Sequence, residues 1–483
     1  MRTSTSAGAK IPHPLHKGVV WNWRWGSQSA RPPVFQVIID IITKSVARFT
    51  PTRRVAIEGV QVALGQGVAV LGAMVGVRLL TSVLSPAQYG EVALAGTVGA
   101  LVTQLSLMPL QQGALRFFGP ALEAHELRAS LTATWLLARR TGQVVVILTA
   151  VAVIGLLLLA RYSLIGIVVC AAVLALLSGY ERILDALQSV GRQRGITAWH
   201  QGLANWLRFL VAFGLVTWLG GGSTAVVLGY ALATAVVLAS QLAFFYRGWW
   251  MLVASQAPSP ASTEKWRAQI QGYAGPFMAS GAFLWLQQSS DRWGLQIFGA
   301  TQDVGYYAVL VQLGYIPIIL LTGVVVQLVQ PILFNKAGDG TDLQRLAQTN
   351  RINNHLLYGF LFLTAAGTLG AFMFHRQIFS LLVAPEYHRV SGLMYLMVLS
   401  GGCFASGELA AMKLMSGRRT RELSVIKIGT AIVGISLNLI GTYWFGLQGA
   451  VLANLGFSAT SLAWLLAASR ARSVRAPLEA SPG

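Results

Sequence analysis

The chain has 483 residues, 54% of them hydrophobic and only 11% charged, with a formal net charge of +20. Typical soluble domains carry about 25% charged residues, so this composition excludes a soluble globular protein, and with it the nucleic-acid binding that so basic a soluble chain would suggest. Cys170 and Cys403 both lie in apolar runs and imply neither a disulfide framework nor a zinc site.

Residues 1–57 form a basic leader with nine Lys/Arg and no apolar core of the kind a cleavable signal needs. Trp21, Trp23 and Trp25 flank Arg24, and Val34, Phe35, Val37, Ile38, Ile41, Ile42, Val46 and Phe49 recur at helical spacing. That pattern suits either an amphipathic helix lying on the membrane or an unstructured tail. Apolar runs near the roughly 20 residues that cross a bilayer then recur to the end of the chain. They predict twelve spans, near 58–83, 90–112, 140–160, 163–188, 197–219 and 223–246, and near 273–298, 304–333, 353–374, 388–416, 422–443 and 447–469. Strands of a membrane barrel would alternate in polarity over about ten residues, and no such pattern occurs.

Lys and Arg fix the orientation. One side of the predicted topology collects 29 of the 36, the other only Arg161, Arg376 and Arg389. The positive-inside rule then makes both termini of this multi-pass membrane protein cytoplasmic. The excess charge reads as topology plus attraction to anionic lipid. The outer loops are short, the longest near 375–388, which leaves no room for an outer catalytic domain.

The chain repeats itself. Arg78–Gly90 runs through an arginine, an apolar end and a short turn into Gly90–Ala93; Arg292–Gly305 does the same and opens into Gly305–Ala308, with the two glycines 215 residues apart. Leu187–Arg192 and Lys413–Arg418 match at a shift of 226. Six spans per repeat is an even number, so the halves share orientation and a site between them is expected. The expected organisation is a leader (1–57), a six-helix bundle (58–247), a cytoplasmic linker (248–272), a second six-helix bundle (273–470) and a tail (471–483).

Leu79–Ala93, Leu115-Arg116-Phe117-Phe118, Ser189–Arg192 and Gly305-Tyr306-Tyr307-Ala308, in this order and spacing, resemble the polysaccharide-transporter and O-antigen flippase branch of the multidrug/oligosaccharidyl-lipid/polysaccharide exporter superfamily. The resemblance covers about residues 58–470. It implies an all-α membrane protein whose two bundles form a V-shaped central cavity. It also implies alternating access for an undecaprenyl-diphosphate-linked oligosaccharide, moved from the cytoplasmic to the outer leaflet. Partners would be that lipid-linked sugar, membrane lipid, a polysaccharide polymerase and glycosyltransferases.

A diphosphate head crossing a membrane needs cations at depth, and arginine offers a planar fork that stays charged when desolvated. Arg208 lies nine residues into its span from Trp199, roughly 13 Å of helix, too deep for easy snorkelling. It either faces the cavity or forms a buried pair with Glu181 or Asp185. Arg292 lies toward the outer third, and its rival reading is a local pair with Asp291; Arg78, at the outer edge, either binds substrate or snorkels. Asp291 either takes up a proton or sodium ion to drive transport or serves as a fixed counter-ion. Glu181, Asp185 and Glu408, near cytoplasmic span ends, are expected to pair with loop arginines, and Lys427 to snorkel. Gln104, Gln288, Trp285, Trp293, Tyr306 and Tyr315 suit either sugar recognition or helix packing. Pro109, Pro276, Pro317 and Pro331 are expected to kink or end spans.

No cofactor is implied: no metal-ligand cluster and no phosphate-cradling Gly-Lys motif occurs. Two alternatives compete. A drug/cation antiporter of the same superfamily would favour acidic residues at depth, against three in-span arginines here. A membrane enzyme such as an O-antigen ligase or polymerase would need a sizeable outer loop.

Overall fold

A computed structural model of the protein describes residues 53–190, 194–247, 258–337 and 342–470, and they are helical almost throughout. They belong to one unit, Thr50–Gly483. The leader's expected interfacial helix and the tail after residue 470 lie outside the described residues. The helices are α1 (Arg53–Thr81), α2 (Pro86–Glu123), α3 (Leu127–Leu158), α4 (Ile165–Val190), α5 (Arg194–Leu219) and α6 (Gly222–Phe245). There follow α7 (Pro260–Phe298) and α8, built from Thr301–Leu310, a π-helical turn Val311–Tyr315 and Ile316–Ala337. Next come α9 (Leu343–Leu382), a 3-10 stretch Pro385–Leu393, α10 (Met394–Ser416) and α11 (Thr420–Arg470). Gly446, with φ 53°, breaks α11 into two arms, a left-handed conformation that glycine adopts without a Cβ penalty.

Nine helices among the described residues are long and apolar enough to cross a membrane. The twelve expected spans differ from that number at three places. Broken α11 is one helix in the nine; the apolar part of α1, Gly67–Thr81, is short; and α7, which carries Gln287, Gln288, Asp291 and Arg292 in its apolar half, is not among them. Several helices also overrun the apolar runs that announced them. α3 begins at Leu127 rather than near 140, α7 at Pro260 rather than 273, and α9 runs from Leu343 to Leu382 rather than 353–374. Hydropathy marks only the stretch that hydrocarbon surrounds, while backbone hydrogen bonding carries a helix onward into water. The loop expected near 375–388 is therefore helical through Leu382.

Two of the four named prolines act through wide turns. Pro109 and Pro317 each follow a π-turn, Thr103–Leu107 in α2 and Val311–Tyr315 in α8, by two residues. Proline has no N–H for the carbonyl four residues back and its ring crowds that carbonyl; widening the preceding turn relieves both. Pro276, by contrast, sits inside continuous α7.

The largest buried cluster lies at the expected outer end and draws on both repeats: Val77, Leu80 and Leu84 beside Val304–Val311, Phe379, Tyr387 and Met397. Its centre is a backbone-to-backbone approach. A Cβ on Gly90 would strike the Thr301 carbonyl, and one on Gly305 would strike the Pro86 carbonyl. Only glycine permits helices this close. Around it Tyr387 donates its hydroxyl to the Leu84 carbonyl (2.9 Å) and the Ala384 N–H donates to Thr81 Oγ1 (3.2 Å). Packed apolar side chains make up most of this end.

The charge bias makes a direct prediction about sidedness. Single cysteines at positions 86, 300 and 380, in a background lacking Cys170 and Cys403, are expected to react with membrane-impermeant maleimide in intact cells. Cysteines near 120, 255 and 340 are expected to react only after permeabilisation. Outside labelling at 340 would break the topology.

Candidate functional site

The predicted arginine–aspartate pair sits on α7 with its two members on different faces, as adjacent residues on a helix must be. One stripe of α7 turns toward α2. Trp285 Nε1 donates to the Thr97 carbonyl at 2.7 Å, Trp293 Nε1 to Thr97 Oγ1 at 3.0 Å, and Gln104 Nε2 to Gln288 Oε1 at 2.8 Å. Gln104 is presented by the π-turn of α2. Arg292 belongs to this stripe, four residues after Gln288, whose carbonyl accepts from Arg292 Nη1 at 3.2 Å. The Arg292 side chain is 22% exposed and 3.9 Å from Asp291 Oδ1, beyond hydrogen-bond length.

The other face of α7 is buried against α8 and α11. Asp291, 6% exposed, accepts from the Tyr307 hydroxyl at 2.8 Å and from the Arg292 backbone N–H at 2.7 Å. Asn454 Nδ2 donates to the same tyrosine oxygen at 2.9 Å, and Ser400 Oγ donates to Asn454 Oδ1 at 2.5 Å and meets Ser458 Oγ at 3.0 Å. Beside them Asn438 Nδ2 donates to Ser290 Oγ at 3.0 Å, while the buried Asn438 Oδ1 has no hydrogen-bond partner among the described residues. A buried carboxylate is thus held by neutral donors, with one guanidinium loosely opposite. The sequence singled out Asp291 and Arg292 but missed Thr97, Tyr307 as a ligand of the carboxylate, Ser400, Asn438 and Asn454. The available signal was an asparagine in each arm of an otherwise apolar α11.

The other two predicted arginines stand apart from this site. Arg208 Nη2 bonds Glu181 Oε2 at 2.7 Å and its Nε donates to Thr234 Oγ1 at 3.1 Å; the two charged side chains are 30% and 7% exposed. Glu181 therefore pairs with a mid-helix arginine, not with a loop arginine, because α4 and α5 present the two at the same depth. Asp185, one turn on, accepts from Gln241 Nε2 at 2.7 Å and Gln201 Nε2 at 3.2 Å. Arg78 Nη1 donates to the Val383 carbonyl at 2.5 Å and ties α1 to the end of α9. Lys427 does not merely snorkel: it meets Glu408 at 2.7 Å, replacing the loop arginine expected there. Of the three arginines, only Arg292 has a guanidinium without a close carboxylate or a short cross-helix tether.

Among the described residues no three His, Cys, Asp or Glu side chains are placed to hold a metal ion. At the expected outer end Tyr387 stands edge-on to both Tyr89 and Tyr306, with ring centroids 6.1 and 5.8 Å away. Arg389 lies 4.0 Å over the Tyr306 ring and 3.8 Å from Asp303, so this end is sealed by aromatics capped with a cation.

Comparison with known proteins gives a consistent fold. The family described as polysaccharide biosynthesis protein matches residues 59–335. No curated protein matches. Among solved structures, a multidrug resistance MATE family transporter of the MOP superfamily, inward-facing, is similar at TM-score 0.64 and 12% identity, covering 92% of this chain and 99% of its own. The lipid II flippase MurJ, inward closed, is similar at TM-score 0.62 and 11% identity, covering 86% and 87%. A mutant of the Vibrio cholerae MATE transporter VcmN is similar at TM-score 0.52 and 14% identity, covering 90% and 98%.

Proposed function

The chain belongs to the polysaccharide biosynthesis protein family, and from that premise we propose that it flips a lipid-linked oligosaccharide across the bacterial inner membrane. The substrate class is an undecaprenyl-diphosphate-linked sugar, moved from the cytoplasmic to the outer leaflet by alternating access between the two six-helix halves, with both termini cytoplasmic. The protein acts as a carrier and not as an enzyme. The observation that carries this reading is Arg292: a guanidinium six residues inside the expected outer end of α7, 22% exposed and 3.9 Å from the Asp291 carboxylate. A charge so placed in an apolar helix calls for a ligand or a hydrated path. A diphosphate supplies two or more oxygens for its fork.

Asp291 is assigned the counter-ion role, and the coupling-ion role for H+ or Na+ is its alternative. Its Oδ2 is occupied by Tyr307 and its Oδ1 by the Arg292 N–H. Arg208 and Arg78 come second as diphosphate ligands, since each would first have to leave Glu181 or the Val383 carbonyl. A cation antiporter would need free acidic groups, yet Glu181 is bound to Arg208 and Asp291 is hydrogen-bonded.

The test is export of surface polysaccharide in a flippase-null strain, with membrane levels of the protein measured in parallel. A lost charge-assisted hydrogen bond is worth about 1.5–3 kcal/mol, so Arg292→Ala is expected to cut export by about ten- to hundredfold at unchanged protein level. Arg292→Lys is expected to restore it in part, because a point charge replaces a fork. Full export by Arg292→Ala sinks the site assignment while leaving the fold untouched.

A further inference from the structure

One ion pair occurs in both halves. Glu181 of α4 meets Arg208 of α5 at 2.7 Å, and Glu408 of α10 meets Lys427 of α11 at 2.7 Å. The two glutamates lie six and five residues ahead of the matched stretches Leu187–Arg192 and Lys413–Arg418. Glu181 stands nine residues before the end of α4 and Glu408 eight before the end of α10, so both are about 13 Å inside the expected cytoplasmic face. The pairs differ in openness. Arg208 is 30% exposed and also bonds Thr234, whereas Lys427 is 50% exposed and its ammonium bonds only Glu408 among the described residues.

That lysine faces away from the outer wall of its helix. Val425, Ile428, Ile432 and Ile440 form the exposed apolar stripe on the first arm of α11. At 3.6 residues per turn Lys427 falls on the opposite side, in line with Ala431, Gly434 and Asn438, all of them buried. Where this line reaches Asn438 it touches Ser290 of α7, two residues before Arg292. Where it begins, at Lys427, the side chain is open. Eleven residues separate Lys427 from Asn438, roughly 16 Å of helix, which is longer than a diphosphate group.

We propose, resting on the flippase reading, that Lys427 is the cytoplasmic-side contact for the substrate diphosphate, met before Arg292 and released as the substrate moves outward. An ammonium has three N–H donors, and Glu408 accepts one of them, so a phosphate oxygen can join without breaking the pair. The glutamate has its own part in this. A site on a transport path must let go of what it takes, and a carboxylate beside the lysine weakens its hold on an anion.

The probe is undecaprenyl diphosphate, titrated onto the full-length protein in detergent and weighed in complex by native mass spectrometry, with neutral undecaprenol as the control lipid. The wild type is expected to prefer the diphosphate; no preference would sink the flippase reading and this proposal with it. Lys427→Gln is expected to weaken diphosphate binding about tenfold, the loss of one charge-assisted hydrogen bond, and Lys427→Arg to keep it. Glu408→Gln, which uncovers the lysine, is expected to tighten binding severalfold. Opposite signs mark a ligand, since the two members of a purely structural pair would fail alike. Lys427→Gln/Glu408→Gln removes both charges together and serves if either single variant misfolds; it is expected to bind as weakly as Lys427→Gln. Wild-type affinity in Lys427→Gln or in the double variant, or equal losses from the two single variants, would overturn the role of Lys427 while the wild-type preference for the diphosphate left the flippase reading standing.

Discussion

Arg208→Ala is expected to deplete the folded protein from the membrane, not merely silence it. Glu181 keeps only 7% of its side-chain surface exposed, and its partner is the Arg208 guanidinium at 2.7 Å. Truncating one member of a buried pair strands the other, at a cost of about 3–5 kcal/mol. Since Arg208 is itself 30% exposed, the lower end of that range applies. A loss of about 3 kcal/mol still shifts a folding equilibrium roughly a hundredfold. Fluorescence-detected size exclusion should therefore show a sharply reduced monodisperse peak for Arg208→Ala and recovery for Arg208→Met/Glu181→Gln, which removes both charges together. The recovered double variant then separates two roles. Normal export assigns Arg208 to structure alone, whereas absent export at full protein level makes it a ligand of the diphosphate. A full-sized peak for Arg208→Ala would contradict the pairing.

The second large effect belongs to Gly305. A methyl group there meets the Pro86 carbonyl, which is backbone and cannot rotate aside. Overpacking a tight interior costs typically about 1–3 kcal/mol, and two helix backbones would have to part here, so Gly305→Ala should reach the top of that range. Gly323, further along α8, has nothing within 4 Å of where a Cβ would stand, so Gly323→Ala serves as the control. The variant should melt at a lower temperature. It should also open the seal, so that a cysteine at Ala308, 9% exposed in the native protein, becomes reactive to impermeant maleimide. Unchanged melting together with a protected Ala308→Cys would show that the contact is not needed.

Much of the architecture was legible because its causes are local. Bilayer thickness sets the length of an apolar run, and the internal repeat made Gly90 and Gly305, 215 residues apart, stand out. The sequence also separated Arg292 from Asp291 by helix geometry alone. What it could not supply were partners distant in the chain. Whether Arg208 meets Glu181 depends on how α4 and α5 cross, and the hydropathy of either helix is indifferent to that angle. Thr97 illustrates the same limit: a lone threonine in an apolar run gives no hint that two tryptophans of α7 will converge on it. The carboxylate shell around Asp291 was hidden for a further reason. Ser400, Asn438, Asn454 and Ser458 come from two helices far along the chain, and each alone reads as an ordinary polar residue in a membrane helix.

The approach of Gly90 to Gly305 is reciprocal. The missing Cβ of the first faces the Thr301 carbonyl, that of the second faces the Pro86 carbonyl, and both pairs of positions are 215 residues apart. Such a contact is what two identical subunits make across a two-fold axis, where residue i meets j and j meets i. We read it, as a hypothesis, as the trace of a gene duplication: an ancestor of half this length, paired with its own copy, would have met the whole requirement with one glycine. Self-association of a chain ending near residue 247, abolished by Gly90→Leu, would support this descent, and a strictly monomeric half would refute it. After fusion each copy could change alone. The arginine of the first copy is tethered to the Val383 carbonyl, while its near-counterpart in the second bonds the Gln288 carbonyl of its own helix, an asymmetry that identical copies do not carry.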